Sequence, residues 1–206
     1  MLTILLIRHA NCDHVGRRIA GRASGVHLNA AGRLEAAILA EALAQSSATA
    51  HQEHLEAIYT SPVERAVETA EILAARLGVP VRPALGLIEL DFGEWTGRSL
   101  EELDTDPWWR QWNEQREATR IPGGELMAEG VNRAMAELDR LGCDHPNGTV
   151  AAVSHGDIIR GVLLRYLGIG LDHVHRLEVS PASVSVVRGS QVIAVNWQPG
   201  GPLAHA

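Results

Sequence analysis

Two histidines stand where nearly continuous apolar runs stop. Leu2 to Ile7 runs into Arg8-His9, and Thr149 to Val153 runs into Ser154-His155-Gly156. Runs of this kind read as strands buried on both faces of a parallel sheet. Open α/β sheets bind ligands beyond the carboxyl ends of their strands. If the two strands are neighbours, both imidazoles share one edge. Either histidine alone would ordinarily be a satisfied polar residue at a strand end. The pair, each followed by a small residue (Ala10 and Gly156), argues for chemistry.

Two arginines join them. Arg8 follows directly on a buried strand, so its charge calls for an anionic partner. Arg65 falls in the first turn of a helix opened by Ser61-Pro62. A cation there opposes the helix dipole at a cost of roughly 0.5 kcal/mol, and a bound anion reverses that sign. Taken alone, Arg65 would snorkel to solvent or pair with Glu64 or Glu68. Two arginines and two histidines on one edge suit a phosphoryl group: paired donors for its oxygens and an imidazole to attack phosphorus. That set calls for no metal and no cofactor. The leaving alkoxide then needs a proton from a nearby carboxylic acid. Glu89, Asp91 and Glu94, in the segment from Leu87 to Gly97, are all available, and their chemistry alone does not choose among them.

The elements that position these groups follow from pattern. Asn29 is a plausible N-cap for a helix over 30–45, with Leu34, Ile38 and Leu43 inward. Ala57–Tyr59 reads as a strand. Ser61 as N-cap and Pro62 at the first helical position open the next helix, with Ala66, Val67, Ala70, Leu73, Ala74 and Leu77 as its apolar stripe and Gly78 at its end. A short strand is predicted over 79–82. Residues 83–124 read as irregular, with a short helix near Leu100, and hold four of the five tryptophans. A long helix over 125–141, the strand 149–153 and a helix over 157–167 closed by Gly168 come next. Strands are predicted over 175–180, 183–188 and 191–197, the last two joined at Gly189-Ser190 by a type II′ turn. Strands alternating with helices predict an α/β fold, a three-layer α/β/α sandwich with a mainly parallel mixed sheet.

These motifs together resemble the histidine phosphatase superfamily, in its phosphoglycerate-mutase-like branch of small phosphatases. The resemblance runs from Leu5 to about Arg160. It rests on Leu6-Ile-Arg-His9, the helix Thr60-Ser-Pro-Val-Glu-Arg-Ala-Val-Glu-Thr-Ala70, and Leu87-Ile-Glu89 through Gly93-Glu-Trp-Thr-Gly97. Pro122-Gly-Gly-Glu125 with Arg133, and Val153-Ser-His-Gly156 through Arg160, complete it. The resemblance implies that His9 is the nucleophile and becomes phosphohistidine. It implies that Arg8, Arg65 and His155 bind the phosphoryl oxygens, His155 also serving catalysis, and that Glu89 is the proton donor. The sequence departs from the family at Ala10, where glycine is usual, at Asn11 and Cys12, and at Val15, where an asparagine often helps hold phosphate.

Within that chemistry a phosphatase is favoured over a mutase. The region after the acid segment lacks paired arginines for a substrate carboxylate; Arg98, Arg110, Arg116 and Arg120 are well separated. The expected activity is metal-independent hydrolysis of a small phosphorylated metabolite, with a phosphoglycerate-mutase-type phosphomutase or a non-catalytic phospho-ligand-binding regulator as alternatives. Arg17, Arg18 and Arg22, in the loop after His9, could hold a second anionic group. Trp108, Trp109 and Trp112 could wall the pocket or pack beneath it. His173 and His175 alternate on a predicted strand without a third metal ligand.

Composition bounds the rest. At 206 residues the chain suits one domain of ~100–200 residues, with 83–124 as an insertion on the substrate side and 199–206 as a loose tail. Apolar residues at 46% and charged residues at 21% support a full core and exclude a disordered chain. A net charge of −7 argues against a broad nucleic-acid-binding face. No apolar run nears the ~20 residues of a membrane helix, and no basic stretch with a long apolar one opens the chain. Two cysteines, Cys12 and Cys143, make no disulfide framework. A cytoplasmic protein is expected, with a small phosphorylated substrate as its partner, no nucleic acid or membrane, and a homodimer left open.

Overall fold

The computed structural model describes residues 1–49 and 54–200. Residues 201–206 of the expected loose tail lie outside them. Six strands form one mixed sheet in the order β3-β2-β4-β1-β5-β6. They are β1 (Thr3–Arg8), β2 (Leu55–Thr60), β3 (Val81–Pro83), β4 (Thr149–Ser154), β5 (Val184–Arg188) and β6 (Gln191–Trp197). The pairs β1–β4, β2–β4 and β2–β3 are parallel, whereas β5 and β6 run antiparallel.

Strand side chains alternate between faces, and the two faces carry separate cores. Ile4 and Leu6 of β1, Ala57 and Tyr59 of β2, and Val150 and Ala152 of β4 pack on one side. They meet α5 (Met127–Asp144) and α6 (Gly156–Leu167). Ile7, Ile58, Ala151 and Val153 pack on the other. They meet α1 (Ala30–Thr49) and α2 (Glu64–Leu77). This is the predicted α/β/α sandwich.

Three local expectations are corrected. Leu34 and Ile38 face solvent at 62% and 48% exposure, and the inward stripe of α1 is Ala36, Leu39 and Ala40. An alanine-rich helix offers apolar residues all round, so periodicity could not pick the buried side. Small residues let α1 lie close to its neighbours. A side chain at Gly32 would run into the backbone of Asn11, just beyond His9. Secondly, α2 begins at Glu64 with Val63 as N-cap, not at Ser61-Pro62. Thirdly, 175–180 forms no strand. Leu171–Arg176 is a 3₁₀ segment burying Leu171 and Val174. The carbonyls of Leu177 and Val179 accept from Arg160 and Arg8 rather than from a neighbouring strand.

The Asn29 cap is present, its Oδ1 accepting the Gly32 N–H at 2.8 Å. The β5–β6 turn has positive φ at Gly189 but not at Ser190, as a type II′ turn requires. The 83–124 segment is more ordered than predicted. It holds α3 (Leu100–Asp104), α4 (Pro107–Glu114) and two 3₁₀ turns, Leu85–Leu87 and Gly93–Trp95. Asp106 caps α4 through the Trp108 N–H. Trp95, Trp109 and Trp112 pack edge-on or stacked within 5.1–5.4 Å of one another. They form the hydrophobic floor of the insertion.

Candidate active site

Arg8 of β1 lies opposite Ser154 of β4 in the parallel register. The next residue on each strand is therefore the histidine, and the two rings meet edge-on at 5.2 Å. The first turn of α2, entered from β2, brings Arg65 between them. Arg65 is 2% exposed and His155 fully buried.

The hydrogen bonds fix the role of each ring nitrogen. His9 Nδ1 donates to the Ala10 carbonyl at 2.8 Å, which makes Nε2 the unprotonated nitrogen. Arg65 Nε donates to that Nε2 at 3.1 Å, and Arg65 Nη2 donates to His155 Nδ1 at 3.1 Å. His155 Nε2–H then donates to Ser61 Oγ at 2.7 Å. Burial, then the charges of Arg65 and Arg8, hold His9 well below the usual imidazole value. Burial and Arg65 do the same to His155. Both rings are neutral at pH 7, as a nucleophile requires.

Among the described residues, two guanidinium donors of the arginines that line the cleft, Arg8 Nε and Arg65 Nη1, are buried with no hydrogen-bond partner. An orphaned buried donor costs about 1–3 kcal/mol. Phosphoryl oxygens beside His9 would satisfy both. Gly156 packs against the Arg8 guanidinium, and α6 starts there, with its N-terminal N–H groups and positive dipole end at the cleft. A cleft of about 160 Å³ opens over these groups.

Of the three carboxylates left open by sequence, Glu89 lines the cleft and Asp91 and Glu94 do not. Burial, reinforced by the Asp157 carboxylate, pushes Glu89 up to about 7, against the pull of the Leu90 N–H, Arg65 and Arg8. Asp157 shares the cleft. Burial opposes its ionisation, but Arg116 and Arg160 outweigh that and hold it below its usual value. Their guanidinium groups lie 3.2 and 3.5 Å away. A raised acid is protonated below its pKa, so kcat/KM on an alkyl phosphate is expected to fall as pH rises through about 7. Asp157→Asn removes the negative charge that favours the proton on Glu89. Its basic limb should move to lower pH in a pH–rate profile, and a limb that stays in place contradicts this account.

The three loop arginines separate. Arg18 lines the cleft, with Nη1 on the Gly97 carbonyl. Arg17 is exposed and outside it. Arg22 is turned away from the cleft, onto the Glu89 carbonyl, Glu125 and Asp91. Trp112 is buried under Arg116, whose guanidinium lies 3.7 Å from the ring centre, and none of Trp108, Trp109 and Trp112 walls the cleft. His175 contacts Asn113 and Arg116. Ala10 fits a fully buried site, with its N–H on Thr69 Oγ. Val15 and Cys12 line the cleft.

Sequence reasoning missed Asp157, Arg160 and the Ser61–His155 contact. Asp157 and Arg160 had a readable signal, an acid and a base three apart in the first turns of a helix that begins beside a site histidine.

A family model, the histidine phosphatase superfamily (branch 1), matches residues 4–192. The chain belongs to that superfamily. This histidine phosphatase is 31% identical over 192 residues to phosphoserine phosphatase 1 of Hydrogenobacter thermophilus, covering 91% of this chain and 86% of that protein. It is 32% identical over 213 residues to a probable phosphoglycerate mutase, GpmB, of Yersinia enterocolitica, covering 100% and 95%. Among solved structures, Bacillus stearothermophilus YhfR superposes with a TM-score of 0.82 at 27% identity, over 94% and 95% of the two chains. The mycobacterial glucosyl-3-phosphoglycerate phosphatase complexed with VO3 gives 0.79 at 26%, over 94% and 98%.

Proposed function

We propose that this histidine phosphatase hydrolyses a small phosphorylated metabolite through a phosphohistidine on His9. The observation that carries the reading is Arg65. One buried guanidinium touches His9 Nε2 and His155 Nδ1 and keeps a third nitrogen unpartnered where phosphoryl oxygens would lie. Fixed cations so placed stabilise transition-state charge without reorganising.

In the first step the Arg65 Nε hydrogen bond to His9 Nε2 gives way as the phosphoryl group enters; Nε2 attacks phosphorus, the ester P–O bond breaks, and protonated Glu89 gives its proton to the leaving oxygen. Water then attacks phosphohistidine, Glu89 takes the proton from that water, and the P–N bond breaks. Phosphate leaves and His9 returns neutral. Arg8 and Arg65 hold the oxygens throughout, while His155, bonded to Arg65 Nη2 and to Ser61 Oγ, keeps Arg65 in place behind the cleft.

A substrate bearing a second anionic group, a carboxylate above all, suits the cleft. Arg18 stands at its exposed side, and two relatives are named for phosphoserine and for glucosyl-3-phosphoglycerate. Mutase action is the second reading, because the GpmB relative matches the whole chain. Against it, the four arginines of the insertion are all engaged and none lines the cleft. Arg98 pairs with Asp106, Arg110 with the Asp104 carbonyl, Arg116 with Asp157 and Arg120 with Glu129.

A panel of phosphorylated carboxylic acids tests the reading. Purified protein should release free phosphate at a rate that a chelator leaves unchanged and vanadate suppresses. Turnover lost in chelator and restored by magnesium, or a phospho-isomer as the main product, would overturn it.

A further inference from the structure

Glu89 sits in residues 88–92, where neither helix nor strand holds the backbone. A proton donor must nevertheless be placed to within a fraction of an ångström of its acceptor. The main chain around Glu89 is held instead by side chains from three distant parts of the sequence. Arg22 Nε donates to the Glu89 carbonyl at 2.8 Å. Arg133 Nη1, from α5, donates to the carbonyls of Gly86 and Ile88 at 2.9 and 3.0 Å. Ser154 Oγ, beside His155, donates to the Leu87 carbonyl at 2.7 Å.

Both guanidinium groups converge on one carboxylate oxygen. Glu125 Oε1 accepts from Arg22 Nη2 at 2.8 Å and from Arg133 Nη2 at 3.0 Å. The same oxygen accepts the Asp91 N–H at 3.0 Å. The turn that carries Glu125 is pressed onto the acid segment: Glu125 N–H bonds the Asp91 carbonyl, and Glu94 N–H bonds that of Pro122. A side chain at Gly124 would collide with the Asp91 carbonyl. Glu125 is largely buried, with 16% of its side chain exposed, and it does not line the cleft.

We propose that Glu125 is the positioning residue for the proton donor. Its carboxylate joins Arg22 and Arg133 into one clamp that grips the backbone on both sides of Glu89 and touches no reacting atom. The proposal rests on the reading of Glu89 as the acid. Removing Glu125 leaves Arg133 without its counter-charge and Arg22 with only the Asp91 carboxylate at 3.6 Å, and it frees the Asp91 N–H. The carboxyl of Glu89 then drifts relative to the leaving oxygen, whereas His9, Arg8, Arg65 and His155 keep their places on the sheet edge.

The test compares kcat/KM, which reads through P–O cleavage, for an alkyl phosphomonoester and for p-nitrophenyl phosphate. The aryl leaving group needs little protonation. Glu125→Ala should lose about 10²-fold on the alkyl ester, the scale of an ångström-sized misplacement, and less than about 3-fold on the aryl ester. Glu125→Gln, which keeps an acceptor oxygen and the side-chain size, should lose less and show the same selectivity. It also decides the matter if Glu125→Ala does not fold. Glu89→Gln is the reference, with an expected alkyl-selective loss on the order of 10²–10⁴. Equal losses on both esters, or no loss, in Glu125→Gln while Glu89→Gln stays selective overturn the clamp and leave the acid intact. A Glu89→Gln variant without selectivity overturns the acid assignment and the clamp with it.

Discussion

His9→Ala is expected to slow phosphomonoester hydrolysis by a factor on the order of 10⁶, the scale seen when a covalent nucleophile is deleted. The hydroxyls nearest His9 are engaged elsewhere. Ser61 Oγ is engaged by His155 and Ser154 Oγ by the Leu87 carbonyl. His155 is fully buried and does not line the cleft, and its Nε2 carries the proton bonded to Ser61. Cys12 lines the cleft but approaches it from the loop beyond His9. Phosphate affinity should survive the change, because Arg8 and Arg65 remain. Steady-state rates with a binding assay for inorganic phosphate check both halves. A loss of less than about 10³-fold would point to another nucleophile.

Arg65→Ala is expected to lower kcat/KM by about 10²–10³, the cost of removing a preorganised donor from a transition-state anion. The effect should exceed that of Arg18→Ala, whose side chain lies at the exposed side of the cleft. Arg65→Lys should not rescue. Lysine presents a single charge, whereas the three guanidinium nitrogens of Arg65 point to different places. Nε meets His9, Nη1 faces the buried phosphoryl side, and Nη2 meets His155 and the Gly21 carbonyl. The parallel loss of both histidine contacts should also let His9 titrate higher, since the Arg65 charge is one of the causes of its lowered pKa. An acid limb that moves to higher pH in the variant is the signature. A tenfold loss or less would mean that Arg65 only braces the histidines.

The convergence on the sheet edge was legible because buried parallel strands are almost purely apolar. Polar residues at their ends, Arg8-His9 and Ser154-His155, therefore stand out. The adjacency of β1 and β4 was a condition that the residues could not supply, and the register of Arg8 with Ser154 meets it. Ser61 misled for a related reason. Ser-Pro is a strong helix-opening pattern, but Ser61 is spent on His155, and Val63 is extended, so α2 starts only at Glu64.

The charged surroundings were the least legible part. Arg116 reaches Asp157 across forty residues from the insertion, and Arg22, Glu125 and Arg133 meet from three separate segments. Long-range ion pairs leave no periodicity. Pro122-Gly-Gly-Glu125 and Arg133 were visible as a family landmark, yet what they hold, the backbone of Glu89, appears only when the carbonyls of Gly86, Ile88 and Glu89 are traced to their donors. Likewise, residues 175–180 alternate in polarity like a strand, but their carbonyls are taken by the two arginines that frame the cleft.

The central claim is the covalent step on His9, and trapping tests it most directly. Enzyme mixed with a phosphomonoester labelled in its phosphoryl group, and quenched within milliseconds without acid, should carry label on the peptide that contains His9. The adduct should be labile in acid and stable in base, as a phosphoramidate is, and absent from His9→Ala. Label on Ser61, Ser154 or Cys12, or an adduct stable in acid, would contradict the account.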